Sequence, residues 1–288
     1  MGRHGLGMIK HFCSFILLVF SAATQSAIFG DGDPSNGIED QRHLPAGQLL
    51  KAVGTIFCDG GLRGTATHIN TSLEEGPGII LTAAHVLFDK DTGLGFKHCT
   101  YRPENRRLSG IDFFAVSEHQ YKPFSSNKIQ QSESDIVFVA LSKKPYQASL
   151  KLAIAKNIRR NDLQLAGYNA DRQEISLTSH CESFSSQAFI SQQLLLHNCD
   201  ALGGASGGPI ISPAEVGNSK NIVAVHGGTL LSDGAPLNDG SLHKVDQAAG
   251  AKANPNQWIN QARKIDGAIL NQLQQFLAYL AKDFPSQK

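Results

Sequence analysis

Short apolar segments separated by turn residues recur along most of this chain, and this spacing limits its fold more than any other feature. The first half contains LLKAVGTIF, GTATHI, GIILTAAHVLF, DFFAV and DIVFVAL, and the second half LKLAIA, LQLAGY, EISLTS, QAFISQQLLLH, GPIIS and NIVAVHGG. Each segment has the length of a strand and is rich in Val, Ile, Phe or Thr. Because no helical segments alternate with them, the pattern predicts an all-β barrel or sandwich.

A polar, proline-bearing joint, SKKPYQ at residues 142–147, separates these segments into two groups. We therefore expect an N-terminal β lobe over residues 27–146 and a C-terminal β lobe over residues 147–250. Residues 28–48 are polar and punctuated by glycine, which predicts an arm or a first loop.

The C-terminal part of the chain has a different pattern. Asn254 followed by Pro255 is typical of a helix cap and first turn. Apolar residues then follow at helical spacing, namely Ile265, Ile269, Leu273, Phe276, Leu277 and Leu280. They predict an α-helical tail over residues 251–288, either packed on the barrel surface or docking a partner.

The N-terminus has the pattern of an export signal. A basic start precedes the nearly all-apolar residues 12–20, and small residues follow in SAATQSA at 21–27. The apolar run is too short to span a membrane, which takes about 20 residues. We expect a signal peptide over residues 1–26, with a buried N-terminal strand as the alternative. The mature chain is then expected to have no membrane span and to be secreted or periplasmic.

The charges are almost balanced, with 26 Lys and Arg against 25 Asp and Glu and a net charge of +1. This balance argues against a nucleic acid or an acidic membrane surface as a partner. We expect the protein to be a monomer.

The cysteines fit an oxidising compartment. Removal of the signal peptide removes Cys13 and leaves four others, Cys58, Cys99, Cys181 and Cys199. Four cysteines allow three pairings. We expect Cys58–Cys99 and Cys181–Cys199, because this choice keeps each bridge within one half of the chain. No pair has C-x-x-C spacing, so we expect no zinc site and no other metal.

Three sequence stretches carry the residue types of nucleophilic catalysis. ILTAAHVLF places His85 just after a strand, ESDIVFVAL places Asp135 at the start of another, and CDALGGASGGP sets Ser206 among glycines. A serine hydroxyl is a poor nucleophile until a base takes its proton. An imidazole supplies that base, and a carboxylate fixes its tautomer and stabilises the imidazolium. Asp112, in GIDFFAV, is the alternative acid.

Together LTAAHV, SDIVFVAL and GGASGGP resemble a trypsin-like (chymotrypsin-fold) serine protease. GTATHI, GYNAD and IVAVHGG make the chain similar to the bacterial secreted group that includes glutamyl endopeptidases. The resemblance covers about residues 50–230. It implies two six-stranded antiparallel β-barrels with the active site between them, His85, Asp135 and Ser206 as catalytic residues, and an acyl-enzyme on Ser206. The expected partner is a protein or peptide substrate, and no cofactor is expected.

The resemblance also implies an oxyanion hole formed by the backbone N–H groups of Gly204 and Ser206. Ala205 departs from the family, where an aspartate at this position pairs with the new N-terminus of an activated enzyme. Alanine makes no such ion pair. We therefore expect the loop to be held by other means, with the Cys181–Cys199 bridge as our hypothesis.

The expected substrate-binding residues are Asp200, Ala201, His226, Gly227 and Gly228. Asp200 matches the acid of enzymes that cleave after Lys or Arg, whereas His226 matches the histidine of glutamyl endopeptidases. The latter group usually has Ser or Thr where this chain has Ala201, so we expect basic residues before the cleaved bond (P1). Gly227 and Gly228 resemble the edge segment that pairs with the substrate backbone.

Two other functions are compatible with the same residues. One is a protease-like peptide-binding protein that keeps the groove without turnover, a reading that only Ala205 favours. The other is an esterase on the same fold.

Overall fold

The computed structural model describes residues 40–72, 76–104, 109–146, 148–154, 162–183, 191–213, 220–232, 242–244 and 258–283. The expected signal peptide, residues 1–26, lies outside this part of the chain. No helix within these ranges is long and apolar enough to cross a membrane.

The first lobe is a closed barrel of six strands, as expected. In chain order the first half contains β1 (Arg42–His43), α1 (Gln48–Ala52), β2 (Val53–Cys58), β3 (Gly61–Ile69), β4 (Ile79–Thr82), β5 (Thr100–Pro103), β6 (Ile111–Val116), α2 (Lys128–Glu133) and β7 (Val137–Leu141). The barrel order is β2-β3-β4-β7-β6-β5, and all its paired strands are antiparallel. Its interior is filled by the apolar residues that the sequence placed in these strands, including Ile56, Ile80 and Phe138.

The second lobe is built on a nine-stranded sheet. It contains β8 (Lys151–Leu152), β9 (Leu163–Asn169), β10 (Glu174–Cys181), β11 (Leu194–His197), β12 (Pro209–Pro213), β13 (Lys220–Ser232), β14 (Leu242–Lys244) and β15 (Trp258–Lys264), followed by α3 (Gly267–Asp283). The main order is β1-β10-β9-β12-β13-β15-β11, and β8 and β14 also pair with β13. Within this order, β10 and β11 are the first and last of six consecutive strands, β10-β9-β12-β13-β15-β11. An isolated β-bridge between Ser183, just after β10, and His197 of β11 joins these two strands. Six strands therefore form a second ring.

Two of the expected lobe boundaries need correction. β1, expected in the first lobe, pairs with β10 of the second. The tail expected to be helical over 251–288 contains β15, and its helix begins only at Gly267. The pattern around Pro255 lies outside the described residues. Ile259 and Ala262 lie on opposite faces of this strand, and both are fully buried in the second lobe. Burial of both faces within the sheet therefore stabilises a strand here instead of a helix.

Helix α3 leaves the second lobe and packs on the first. Its apolar face, Ile269, Leu273, Phe276 and Leu280, joins the same buried cluster as the first barrel. Asp266 caps its N-terminus, because its Oδ1 accepts a hydrogen bond from the Ile269 N–H at 3.0 Å. The helix thereby connects the two lobes, and its Gln272 donates hydrogen bonds to Ser117 and Glu118 of the first.

Candidate active site

His85 and Asp135 are held together at the end of the first barrel. His85 lies in a 3₁₀ turn, Ala84–Val86, directly after β4, and Asp135 lies between α2 and β7. β4 and β7 are neighbouring strands, with Thr82 paired to Val137. The His85 backbone N–H donates to Asp135 Oδ1 at 2.9 Å, and His85 Nδ1 lies 2.6 Å from Asp135 Oδ2.

This geometry assigns the histidine tautomer. Asp135 is only 1% exposed, and its carboxylate can only accept hydrogen bonds when ionised. The proton of the neutral ring therefore lies on Nδ1, which makes His85 Nε2 an acceptor. Asp112, the alternative acid, is an exposed residue of β6, and it is Asp135 that binds His85.

The loop that carries Ser206 comes from the second lobe and lies against the first. The Thr65 N–H donates to the Ser206 carbonyl at 2.8 Å. Gly207 has a φ of +85°, and a Cβ there would collide with Thr65 O and Thr82 Oγ1. Only glycine fits this approach. Ser206 consequently lies at the junction of the lobes, beside the turn that carries His85.

The two expected oxyanion donors have a defined direction. The Gly203 carbonyl accepts from the Ala170 N–H and the Ala205 carbonyl from the Gly208 N–H, both at 2.9 Å. In a planar trans peptide the N–H points opposite to the C=O of the same unit. The N–H groups of Gly204 and Ser206 therefore point away from these anchors.

Both expected disulfides are present, Cys58–Cys99 in the first lobe and Cys181–Cys199 in the second. The second bridge belongs to the buried apolar cluster that also contains Ala201 and Ala205. The side chain of Ala205 is thus enclosed by apolar groups. A buried carboxylate at this position would lose its hydration.

Asp200 is bound by the N-terminal arm. Its Oδ2 accepts from the Gln41 N–H at 2.9 Å, and its carbonyl accepts from Thr178 Oγ1 at 2.7 Å. Its side chain is buried. One carboxylate oxygen is therefore already used by the protein backbone.

His226 on β13 contacts a second buried histidine, His197 on β11. Nδ1 of His226 lies 3.3 Å from Nε2 of His197, and Nδ1 of His197 accepts from the Cys199 N–H. His197 is therefore protonated on Nε2, which donates to His226. The proton of His226 then lies on its own Nε2. Burial, with a smaller contribution from His226, holds the pKa of His197 well below its usual value, so His197 stays neutral.

Gly227 and Gly228 lie at an interruption of the sheet. On one side of β13, the contacts with β12 and the Gly207–Gly208 segment end at His226, and those with β14 begin at Leu230. Within the described strands, residues 227–229 have no partner strand on that side. Gly228 has a φ of +122°, and a Cβ on Gly227 would collide with the side chain of Gln261.

Residues 64–217 match the model of the trypsin-like peptidase domain. The chain belongs to the trypsin-like peptidase family. Solved structures share its fold, among them the following three. A Glu endopeptidase in complex with MPD has 16% identity and a TM-score of 0.58, with 83% of this chain and 98% of that chain covered. The protease Anisep from Arthrobacter nicotinovorans has 14% identity and a TM-score of 0.54, with 80% and 97% covered.

A thermostable serine protease from an extremophilic microorganism has 14% identity and a TM-score of 0.52, with 78% of this chain and 94% of that chain covered. A search of curated protein sequences finds no match. The family and the fold together support peptidase function for this chain.

Three residues that bind the candidate site in this trypsin-like domain are not predictable from local sequence patterns. Thr65 and Asn169 bind the loop around Ser206, and His197 binds His226. GYNAD, which contains Asn169, indicates only the family resemblance, because the contact of Asn169 with Leu202 depends on tertiary structure. Among the described residues no group of three or more His, Cys, Asp and Glu is placed to hold a metal ion.

Proposed function

We propose that this protein is a serine endopeptidase that uses Ser206, His85 and Asp135. The observation that carries the proposal is the His85–Asp135 pair, which is joined by two hydrogen bonds. The Ser206 loop lies beside it and is hydrogen-bonded to Thr65. Such an arrangement supplies a base of fixed tautomer next to a hydroxyl and two oriented N–H groups.

In the proposed reaction His85 Nε2 takes the proton of Ser206 as Oγ attacks the scissile carbonyl. The carbonyl oxygen becomes an oxyanion that accepts from the N–H groups of Gly204 and Ser206. The C–N bond then breaks, and His85 returns the proton to the leaving amine. Water, deprotonated by His85, then attacks the ester. The C–O bond to Ser206 breaks and the acid leaves, while His85 returns the proton to Oγ and restores the Ser206 hydroxyl.

The substrate would bind as an added strand. The interruption of the sheet at residues 227–229 offers main-chain groups on the side of β13 where the described strands leave it unpaired. An extended peptide pairing there gains affinity from backbone hydrogen bonds. This binding mode favours peptide bonds over small esters as the natural substrate.

For the P1 residue, the structural contacts favour His226 over Asp200. Asp200 shares its Oδ2 with the Gln41 N–H, whereas the tautomer of His226 makes Nε2 a donor. A donor suits a P1 side chain that ends in an oxygen acceptor. We therefore propose Glu or Gln at P1 in place of the basic residue expected from Asp200. The Glu endopeptidase among the structural neighbours is consistent with this choice.

Peptide hydrolysis by the wild type, Ser206→Ala and His85→Ala tests the reaction. We expect turnover by the wild type only, with each variant reduced by about 10⁴-fold or more. A wild type that binds peptides without cleaving them would leave the peptide-binding alternative. Ester cleavage without any peptide cleavage would leave the esterase.

Matched fluorogenic peptides that differ only at P1 test the specificity. We expect Glu or Gln to exceed Lys and Arg in kcat/KM. A preference for Lys or Arg would instead assign P1 binding to Asp200.

We also propose that the protein is exported, because it has two disulfides and an export-like N-terminus. N-terminal sequencing of protein recovered outside the cytoplasm should begin after residue 23, 26 or 27. A start beyond residue 28 would reveal an additional propeptide, and protein found only in the cytoplasm with Met1 uncleaved would contradict export.

A further inference from the structure

The loop from Leu202 to Ser206 is bound by two polar side chains from other segments. Asn169, at the end of β9, accepts a hydrogen bond from the Leu202 N–H through its Oδ1 at 2.6 Å. Thr65, on β3, donates from Oγ1 to the Gly204 carbonyl at 2.7 Å and accepts from the Tyr168 N–H at 2.9 Å. Strands from both barrels thus hold the same five-residue stretch.

The amide of Asn169 has a fixed orientation. The residue is only 2% exposed, and Nδ2 donates to the Gly167 carbonyl at 3.1 Å and to Ser176 Oγ at 2.7 Å. A carbonyl accepts only from the nitrogen end, so Oδ1 must face Leu202. The side chain therefore connects β9 and β10 rigidly to the loop.

The same connection controls the direction of the Gly204 N–H. Ala170, which follows Asn169 in the chain, donates its N–H to the Gly203 carbonyl. Rotation of the Gly203–Gly204 peptide would break that bond and turn the Gly204 N–H away from an oxyanion. Asn169 is the chain neighbour of Ala170, which binds the Gly203 carbonyl, and it also binds Leu202, which precedes Gly203 in the chain.

Ala205 explains why such a connection is needed. Its side chain packs on Gly167, where an added Cβ would lie 3.0 Å from the Cα and the Cβ of Ala205. An apolar cluster encloses it, so no ion pair at position 205 fixes the loop. We propose that Asn169 is a positioning residue that keeps the oxyanion hole in its productive form, with Thr65 as the second support. This inference rests on the proposed catalytic role of Ser206.

The kinetic test compares Asn169→Ala, Asn169→Asp and Ser176→Ala. Loss of one oxyanion donor costs 10²–10³-fold in kcat in related hydrolases, so loosening the hole in Asn169→Ala should cost about 10- to 100-fold, with KM changed less than about twofold. Inhibition by a peptide aldehyde, whose adduct with Ser206 places its oxygen in the hole, should weaken by a similar factor.

Asn169→Asp keeps an oxygen that accepts from the Leu202 N–H. Its second oxygen replaces Nδ2 and faces the Gly167 carbonyl, so that two acceptors repel each other. We expect it to be no more stable than Asn169→Ala and yet more active. Ser176→Ala removes one partner of Nδ2 and leaves the Leu202 contact in place, so we expect kcat to fall less than about threefold. Activities that follow the melting temperatures of the three variants, or a loss confined to KM, would overturn the positioning role.

Amide hydrogen exchange tests the same inference without any activity. Asn169→Ala should speed exchange at Ala205, Gly207 and Gly208, whose N–H groups donate to the carbonyls of Leu202, His226 and Ala205, respectively. Faster exchange at Leu202 alone would contradict the inference. An inactive wild type would refute the proposed function, and the exchange result would still decide the role of Asn169.

Discussion

Arg42 and Asp171 form a bidentate ion pair that joins the N-terminal arm to the turn after β9. The two guanidinium nitrogens lie 2.9 and 2.7 Å from the two carboxylate oxygens of Asp171, and Arg42 also binds Asp40. Asp171 is two residues from Asn169, and Gln41, next to Arg42, binds Asp200. The arm therefore binds two segments of the second lobe that carry candidate-site residues, the turn after Asn169 and the segment at Asp200.

Replacement of Arg42 should lower stability in a pH-dependent way. Burial alone would raise the pKa of Asp40 and Asp171, but hydrogen bonds and charge from Arg42 outweigh it and hold each pKa below its usual value. A depressed carboxyl pKa stabilises the fold above the unfolded pKa of about 3.9, and this contribution is lost as the pH falls through the folded value.

We expect Arg42→Ala to reduce the unfolding free energy by about 1–3 kcal/mol at pH 7. The difference from the wild type should shrink below about pH 4. Arg42→Lys keeps the charge but not the fork that spans both carboxylates, so it should recover only part of the loss. Urea unfolding at several pH values measures this, and a difference that grows in acid would refute the ion-pair explanation.

Asp135→Asn tests the tautomer assignment at His85. An amide fits the same space, but its NH₂ group can donate to His85 Nδ1, which favours the tautomer with the proton on Nε2. The base is then lost, and we expect kcat to fall by about 10⁴-fold with little change in stability. Steady-state kinetics and thermal melting together check this. A fall of less than tenfold would mean that Asp135 does not set the tautomer.

The sequence allowed the first barrel and the residues around His85, Asp135 and Ser206 to be predicted, because local patterns carry them. β15 was missed because Asn260 and Gln261 are buried polar residues in a strand that only its neighbours identify. The contact of Asn169 with Leu202 spans 33 residues and was likewise invisible in the local pattern.

The Cys181–Cys199 bridge should matter more for activity than the Cys58–Cys99 bridge. Cys199 lies next to Asp200 and shares a buried cluster with Ala205, whereas Cys58 and Cys99 join β2 to the start of β5. We expect either double alanine variant to lose about 2–5 kcal/mol of stability. Only the variant lacking Cys181–Cys199 should also lose kcat at a temperature where both remain folded. Equal kcat values would show that the bridge does not hold the loop.

Asp266 is expected to stabilise the attachment of α3. It caps the helix and pairs with Arg263 at 2.8 Å. Asp266→Ala should cost about 0.5–2 kcal/mol in urea unfolding. Asp266→Asn retains the cap and should cost only a fraction of that. An equal loss in both variants would assign the effect to the ion pair.

The central claim is that Ser206 is a nucleophile activated by His85. Intact-protein mass spectrometry after treatment with a fluorophosphonate tests it directly, because the reagent reports covalent attack by the serine oxygen. We predict one phosphonyl group per wild-type chain, located on the peptide that contains Ser206, and none on Ser206→Ala. An unlabelled wild type, or a label on Ser206→Ala, would contradict the account.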